Sequence, residues 1–289
     1  MNGRVLIVAG SDSGGGAGIQ ADIKAVTALK GYAATAITAL TAQNTKGVFG
    51  VHPVPLDFLR QQMTLVLEDL GADAIKTGML ADAPLIDTVA DVLEALPDDL
   101  PVVVDPVMVA KGGHRLLEEN AVSALTARLL PRAHLLTPNL PEAEVLVGYP
   151  IKTVEEMAQA GRDLLSKGPQ AVLMKGGHMD GSVLTDVLVT PEGLHPFQSE
   201  RIETANTHGT GCTLASAIAA GLAQGRAVKD AVARARAYVR QAILTAPGYG
   251  GGHGPLNHAH TVMTFEARAD RGAVNDLFPV AGGGSTGAD

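Results

Sequence analysis

Runs of mostly apolar residues recur at 4–9, 33–39, 73–77, 102–105, 134–137 and 171–175, and none shows the in–out alternation of a half-exposed strand. Such runs predict strands covered on both faces. Between them, residues 19–29, 56–70, 84–96, 121–130 and 154–165 carry apolar positions at helical spacing. Strand followed by helix, repeated, predicts βαβ units, a mostly parallel sheet and helices on both of its faces, an α/β fold. Residues 183–190 and 193–197 interrupt that rhythm and predict a β-hairpin at the sheet edge. Two further helices are expected at 213–224 and 228–244. The pattern decays towards Ala281-Gly282-Gly283-Gly284-Ser285-Thr286-Gly287, so one domain is expected over 1–265 and a flexible tail over 266–289.

Composition narrows the class. A chain of 289 residues without tryptophan and with few aromatics must build an aliphatic core. Its net charge of −8, without a basic block, argues against nucleic acid or an anionic membrane as a partner. An anionic substrate would need local positive features. The single cysteine excludes an internal disulfide and a cysteine-based metal site. The apolar run 5–9 is broken at once by Gly10 and Asp12, so no signal peptide is expected, and no run is long enough to span a bilayer. The expected location is the cytoplasm.

In open parallel sheets ligands bind beyond the carboxyl ends of the strands, so the residues following each strand carry the candidate chemistry. After the first strand, Gly10-Ser11-Asp12-Ser13-Gly14-Gly15-Gly16-Ala17-Gly18 lets backbone approach a ligand closely, but has neither a Walker ending nor a dinucleotide spacing. In the helix behind it, Gln20 and Asp22 face either the pocket or water. The second strand is expected to end in Thr41-Ala42-Gln43-Asn44-Thr45, where Gln43 offers an acceptor and two donors to the edge of a heterocycle. Met79, in Lys76-Thr77-Gly78-Met79-Leu80, suits either a flat ring or the core. Asp105, at the end of its strand, suits indirect binding of Mg²⁺ or orientation of a phosphate. Asn139 and Glu142 stand three apart at a helix start; they either reach a metal-bound water together or form a capping pair. Lys175 suits phosphate as a point cation. The turn Asn206-Thr207-His208-Gly209-Thr210-Gly211-Cys212-Thr213 opens an apolar helix, which presents free N–H groups and the positive helix end to an anion and lowers the pKa of a thiol. A plain helix cap with a buried cysteine is the competing reading.

Six segments carry a resemblance. Residues 10–22 and 38–45, Asp105-Pro106-Val107-Met108-Val109-Ala110-Lys111, Thr137-Pro138-Asn139-Leu140-Pro141-Glu142-Ala143-Glu144, Lys175-Gly176-Gly177-His178 and residues 206–213 resemble the hydroxymethylpyrimidine/phosphomethylpyrimidine kinases of thiamin biosynthesis. The likeness runs from about Arg4 to Gly250-Gly251-Gly252-His253-Gly254-Pro255. It implies a ribokinase-like three-layer α/β/α sandwich with a mostly parallel central sheet and an antiparallel edge. It also implies ATP and Mg²⁺, and successive phosphorylation of 4-amino-5-hydroxymethyl-2-methylpyrimidine and its monophosphate. By the same resemblance Gln43 and Asp22 contact the substrate, and Gly10, Met79 and Val107 line its ring. Asp105 and Glu142 organise Mg²⁺ and phosphate, with Asn139, Lys175 and Thr210 on the nucleotide side. Gly209, Thr210 and Gly211 form the anion hole. Cys212 takes the place of the base, where most sugar and pyridoxal kinases of the superfamily have aspartate. A pyridoxal or pyridoxine kinase of the same fold is the alternative, and a homodimer is expected.

Overall fold

The computed structural model describes residues 2–108, 117–118 and 120–262. The expected tail at 266–289, the last residues of the expected domain and the Val109-Ala110-Lys111 part of the Asp105 motif lie outside the described residues.

The chain runs β1 (Arg4–Ala9), α1 (Gly18–Ala28), β2 (Tyr32–Ile37), β3 (Ala39–Asn44), β4 (Gly47–Pro53), α2 (Leu56–Asp69), β5 (Ala74–Thr77), α3 (Ala83–Glu94), β6 (Val102–Val104) and α4 (Ala121–Ala124). It continues through β7 (Leu135–Leu136), α5 (Leu140–Val147), α6 (Val154–Leu165), β8 (Val172–Met174), β9 (Val183–Thr190), β10 (Gly193–Glu200), α7 (Thr210–Ala223) and α8 (Val228–Leu244). The main sheet has the order β10-β9-β8-β7-β6-β5-β1-β2. Pairing is parallel from β2 to β8, and β9 and β10 close the edge antiparallel, as the interrupted rhythm predicts.

Why the strands read as unbroken apolar runs is visible in the packing. Leu6, Val8, Val102, Val104, Val172 and Met174 point to one face, against Leu59 and Met63 of α2, Leu85 and Ile86 of α3, and Met157 and Leu164 of α6. Val5, Ile7, Val103, Leu135 and Leu173 point to the other, against Ile19 and Val26 of α1, Ala217 and Ile218 of α7, and Val232 and Tyr238 of α8. Both sides of the central strands are therefore covered. A fully buried aliphatic side chain contributes ~1.5–3 kcal/mol, so these positions favour apolar residues.

Chain order fixes where a ligand fits. β1 lies between β2 and β5, so the connection after β1 crosses one way and the next crosses the other. The glycine loop 10–18 leaves the sheet at that switch point, where open α/β sheets bind ligands.

The expected second strand differs from the observed one. β2 stops at Ile37, and Thr38 turns the chain away, its N–H donating to Ala9 O and its hydroxyl to Met79 O. Residues 39–44 leave the sheet as β3 and pair antiparallel with β4 in a separate two-stranded flap. Gln43 thus sits on the flap and not at the end of a sheet strand. β4 escaped the hydrophobic pattern because its side chains are largely exposed. The last strand also runs on to Glu200, three residues past its expected end.

Candidate active site

The rim of the sheet, the flap and the start of α7 enclose a cavity of about 730 Å³. Gly10, Gln43, Met79, Asp105, Val107, Asn139, Glu142, Lys175, Gly209, Thr210, Gly211 and Cys212 all line it. Of the residues expected at the site, Asp22 alone does not.

At the floor, Gly10 faces Met79. A Cβ on Gly10 would lie 2.3 Å from Met79 Cε, so glycine leaves room for the end of the thioether side chain there. Val107 follows the strand end at φ 30, a conformation a β-branched residue takes only when its surroundings impose it.

The anion turn is built by a backbone constraint. Gly209 has φ 80, and a Cβ there would lie 1.8 Å from Gly16 O. With glycine, the turn seats α7 directly against the loop after β1. The turn also faces a charge pair: a Cβ on Gly211 would meet Lys175 Nζ at 3.4 Å and Asp105 Oδ2 at 3.7 Å.

Lys175 Nζ donates to Asp105 Oδ1 at 3.1 Å, and Asp105 also accepts from the Thr137 hydroxyl at the same distance. Burial pushes the Lys175 ammonium down, but Asp105 and Glu142 outweigh it and hold it above its ordinary value. Of the two readings made of Asn139 and Glu142, the capping pair is observed. They form a capping box at the start of α5: Asn139 Oδ1 accepts from the Glu142 N–H at 2.9 Å, and Glu142 Oε2 from the Asn139 N–H at 2.8 Å. The capped Glu142 carboxylate still borders the cavity. Burial pushes it up, Lys175 opposes this, and Asp105 adds to it.

Among the described residues no group of three or more His, Cys, Asp or Glu side chains could hold a metal ion. Asp105 and Glu142 by themselves fit an ion such as Mg²⁺, which keeps its waters and takes one or two carboxylates besides substrate phosphates.

Two expectations are corrected. Asp22 is fully buried: its Oδ2 accepts from Lys76 Nζ at 2.8 Å and its Oδ1 from Ser216 Oγ at 2.7 Å. It therefore lies beneath the cavity rather than on the substrate. Gln20 is partly exposed and does not line the cavity; its Oε1 accepts from the Asp12 N–H at 2.7 Å and fastens the glycine loop. The second correction concerns the Cys212 thiol. Burial pushes it up to about 11, Lys76 opposes, and Asp22 and Asp105 push the same way as burial. The helix start does not bring it towards neutrality, because partial burial and two carboxylates outweigh it.

Pattern reading assigned no role to several residues that the fold brings here. Lys76, fully buried, places its ammonium at the cavity floor. Asp12 and His208 pair at 2.9 Å beside Gln43. Towards the sheet edge Asp186 accepts from the Gly176 N–H at 2.8 Å and from Arg236 Nε at 2.7 Å, while the Arg236 guanidinium lies 5.4 Å from the centre of the Phe197 ring. A charged residue in the apolar run Val183–Thr190 was the available signal for Asp186.

The site's elements match a known family along most of the chain. The model of the phosphomethylpyrimidine kinase family matches residues 12–257. The chain belongs to this family. A thiamine biosynthesis bifunctional protein of Geobacter sulfurreducens is 52% identical over 269 residues; the match covers 93% of this chain and 54% of that protein, so this chain spans about half its length. A hydroxymethylpyrimidine/phosphomethylpyrimidine kinase of Bacillus subtilis is 46% identical over 256 residues, 88% of this chain and 94% of that one. Among solved structures, an ADP complex of Bacillus subtilis pyridoxal kinase is similar with a TM-score of 0.82 and 36% identity, covering 90% of this chain and 98% of that chain. No helix among the described residues is long and apolar enough to cross a membrane.

Proposed function

We propose that this chain transfers the γ-phosphoryl group of ATP to the hydroxymethyl oxygen of 4-amino-5-hydroxymethyl-2-methylpyrimidine, and then phosphorylates the monophosphate to the diphosphate. One observation carries the reading: a single cavity holds the anion turn of α7, the Lys175–Asp105 pair against it, and the Gln43 amide on the flap.

Phosphoryl transfer asks for alignment and neutralisation of spreading charge more than for covalent chemistry. The N–H groups of Gly209, Thr210 and Gly211, at the positive end of α7, hold the transferring group. Lys175 neutralises phosphate charge, with Asn139 beside it on the nucleotide side. Met79, Gly10 and Val107 hold the ring, and Gln43 reads its polar edge. The resting Cys212 thiol first releases its own proton to water, and the thiolate, which the buried Lys76 ammonium favours, then takes the hydroxyl proton. A Mg²⁺ ion, held near Asp105 and Glu142 through waters and phosphate oxygens, would supply further neutralisation of the phosphates.

A cytoplasmic location and a homodimer belong to the same proposal. Phe49 and Val51 of β4 and Leu56, Phe58 and Leu65 of α2 are exposed apolar side chains that support pairing of two copies, which sedimentation would read.

The pyridoxal kinase reading has the likeness of the scaffold in its favour, since the TM-score to such an enzyme is 0.82. ATP consumption measured side by side with the pyrimidine, its monophosphate and pyridoxine decides between them. The expected result is turnover of both pyrimidines and a kcat/KM for pyridoxine at least about tenfold lower, a margin of about 1.4 kcal/mol. Preference for pyridoxine, or no transfer to either pyrimidine, overturns the proposal.

A further inference from the structure

We propose that His208 is a positioning residue: held by Asp12, it fixes which way round the Gln43 amide stands, and so the order in which a donor and an acceptor face the substrate ring. The inference deepens the function proposed above and rests on it.

The Gln43 main chain is pinned. Its N–H donates to Ser13 Oγ at 2.8 Å, and the Ser13 hydroxyl returns to Gln43 O at 2.8 Å. The pairing slips between Ala42 and Gln43, a bulge of the kind that re-aims a side chain next to a site. Only the end of the side chain is left free to turn.

That end touches two groups. Gln43 Nε2 is placed 3.3 Å from His208 Nε2 and Gln43 Oε1 3.4 Å from Thr41 Oγ1, an assignment of nitrogen and oxygen that the protons of the two neighbours decide. His208 Nε2 also lies 2.9 Å from Asp12 Oδ2. Asp12 is 1% exposed, and its carboxylate already accepts from the N–H groups of Gly14, Gly16 and Ala17. Burial pushes its carboxyl up, but the hydrogen bonds from His208, Ala17 and Gly14 outweigh this and hold it below the usual range. An ionised carboxylate only accepts, so His208 must carry a proton on Nε2, whether the ring is neutral or charged. A protonated Nε2 cannot receive an N–H, and the Gln43 atom beside it has to be the oxygen.

Thr41 leads to the same orientation independently. Its single hydroxyl hydrogen goes to Ser11 O at 2.9 Å, so towards Gln43 it can only accept, and the atom there has to be the amide NH₂. A half turn of the terminal torsion exchanges oxygen and nitrogen at nearly the same positions. One orientation satisfies both neighbours. The other sets donor against donor at His208 and acceptor against acceptor at Thr41. In the satisfied state the amide turns one lone pair and one N–H to the cavity in a fixed order. An aminopyrimidine edge, with an exocyclic N–H beside a ring nitrogen, needs such a pair. Gly16 keeps the ring in place from behind: a Cβ there would lie 2.5 Å from His208 Cδ2.

The test is steady-state kinetics of wild type, His208→Ala, His208→Gln, Gln43→Ala and the Gln43→Ala/His208→Ala double variant, with the pyrimidine, pyridoxine and ATP each varied. His208→Ala is expected to raise KM for the pyrimidine about tenfold and to lower its preference over pyridoxine equally, the scale of one buried hydrogen bond left unmade. KM for ATP should stay within about twofold, as expected for a pair of sites that share no partner. His208→Gln, whose amide can donate to both acceptors, should recover most of the loss, and the double variant should be no worse than Gln43→Ala. Equal movement of both KM values, loss in kcat alone, no rescue by glutamine or an additive double variant each overturns the proposal. A wild-type enzyme that does not use the pyrimidine overturns the function and this proposal together; one that does, with preference unchanged in His208→Ala, overturns this proposal alone.

Discussion

Lys76→Met is the most informative single change beneath the site. The Lys76–Asp22 pair is fully buried at 2.8 Å, and Ser216, one turn beyond Cys212 on α7, donates to the other Asp22 oxygen. Burial pushes the Lys76 ammonium down, but the nearby Asp22 and Asp105 carboxylates and the hydrogen bond to Asp22 outweigh it and hold it above its ordinary value. Methionine keeps the volume and removes the charge, leaving Asp22 buried without its partner. Breaking such a pair costs about 3–5 kcal/mol. At roughly 2–4 °C per kcal/mol for a chain of this size, the melting temperature should fall by about 6–20 °C. Asp22→Asn in the same chain removes the stranded charge while keeping an acceptor for Ser216, and should restore most of the stability. The second readout is the thiol. Cys212 is the only cysteine, so alkylation reports it alone. A thiol at about 11 is ionised at pH 7.5 in roughly one molecule in 3,000. Its labelling rate should rise about tenfold per pH unit up to that value, since only the thiolate reacts. Without the Lys76 cation the whole profile should move to higher pH. A Lys76→Met protein destabilised by less than about 1 kcal/mol, within the range of an exposed pair, would refute the energetic argument. An unchanged alkylation profile would refute the claim that Lys76 is felt at the sulfur.

Three further outcomes follow from the same geometry. Gly209→Ala combines a left-handed φ of 80 with a Cβ 1.8 Å from Gly16 O; strain and overpacking of about 2–5 kcal/mol should displace the anion turn and lower kcat about 10²-fold, and a kcat within a few-fold of wild type would contradict this. Cys212→Ala should lower kcat by about 10²–10⁴ if the sulfur takes the hydroxyl proton while leaving ATP affinity, read by calorimetry, near wild type; turnover retained within a few-fold would reduce Cys212 to a packing residue. Cys212 also predicts a pH dependence of stability. Its thiol sits at about 11 when folded against an ordinary value of 9.0. Between those values the unfolded chain loses the proton that the folded one keeps, so stability should fall as pH rises from 9 to 11, and Cys212→Ala should flatten that slope in denaturant titrations.

Much of the molecule was legible because its signals are local. Dry strands between two helical layers have to be apolar runs, and the six expected sheet strands and the edge hairpin all appear in the structure. Asp105, Asn139, Glu142 and Lys175, which line the cavity, were found by the rule that polar groups following a buried parallel strand converge on one rim. What pattern could not supply is what distance along the chain conceals. β4 carries no core pattern, so the flap and the true place of Gln43 emerged only in the fold. Asp22 meets Lys76 across 54 positions, and Asp12 meets His208 across 196; no spacing rule joins residues that come together only when the sheet closes. The glycine turn and the lone cysteine at the start of α7 could be read directly, since backbone geometry is written in residue type. Whether that cysteine is thiol or thiolate could not. A charge state depends on burial and on charges brought in from other elements, and here those raise the Cys212 thiol that the helix start alone would have lowered.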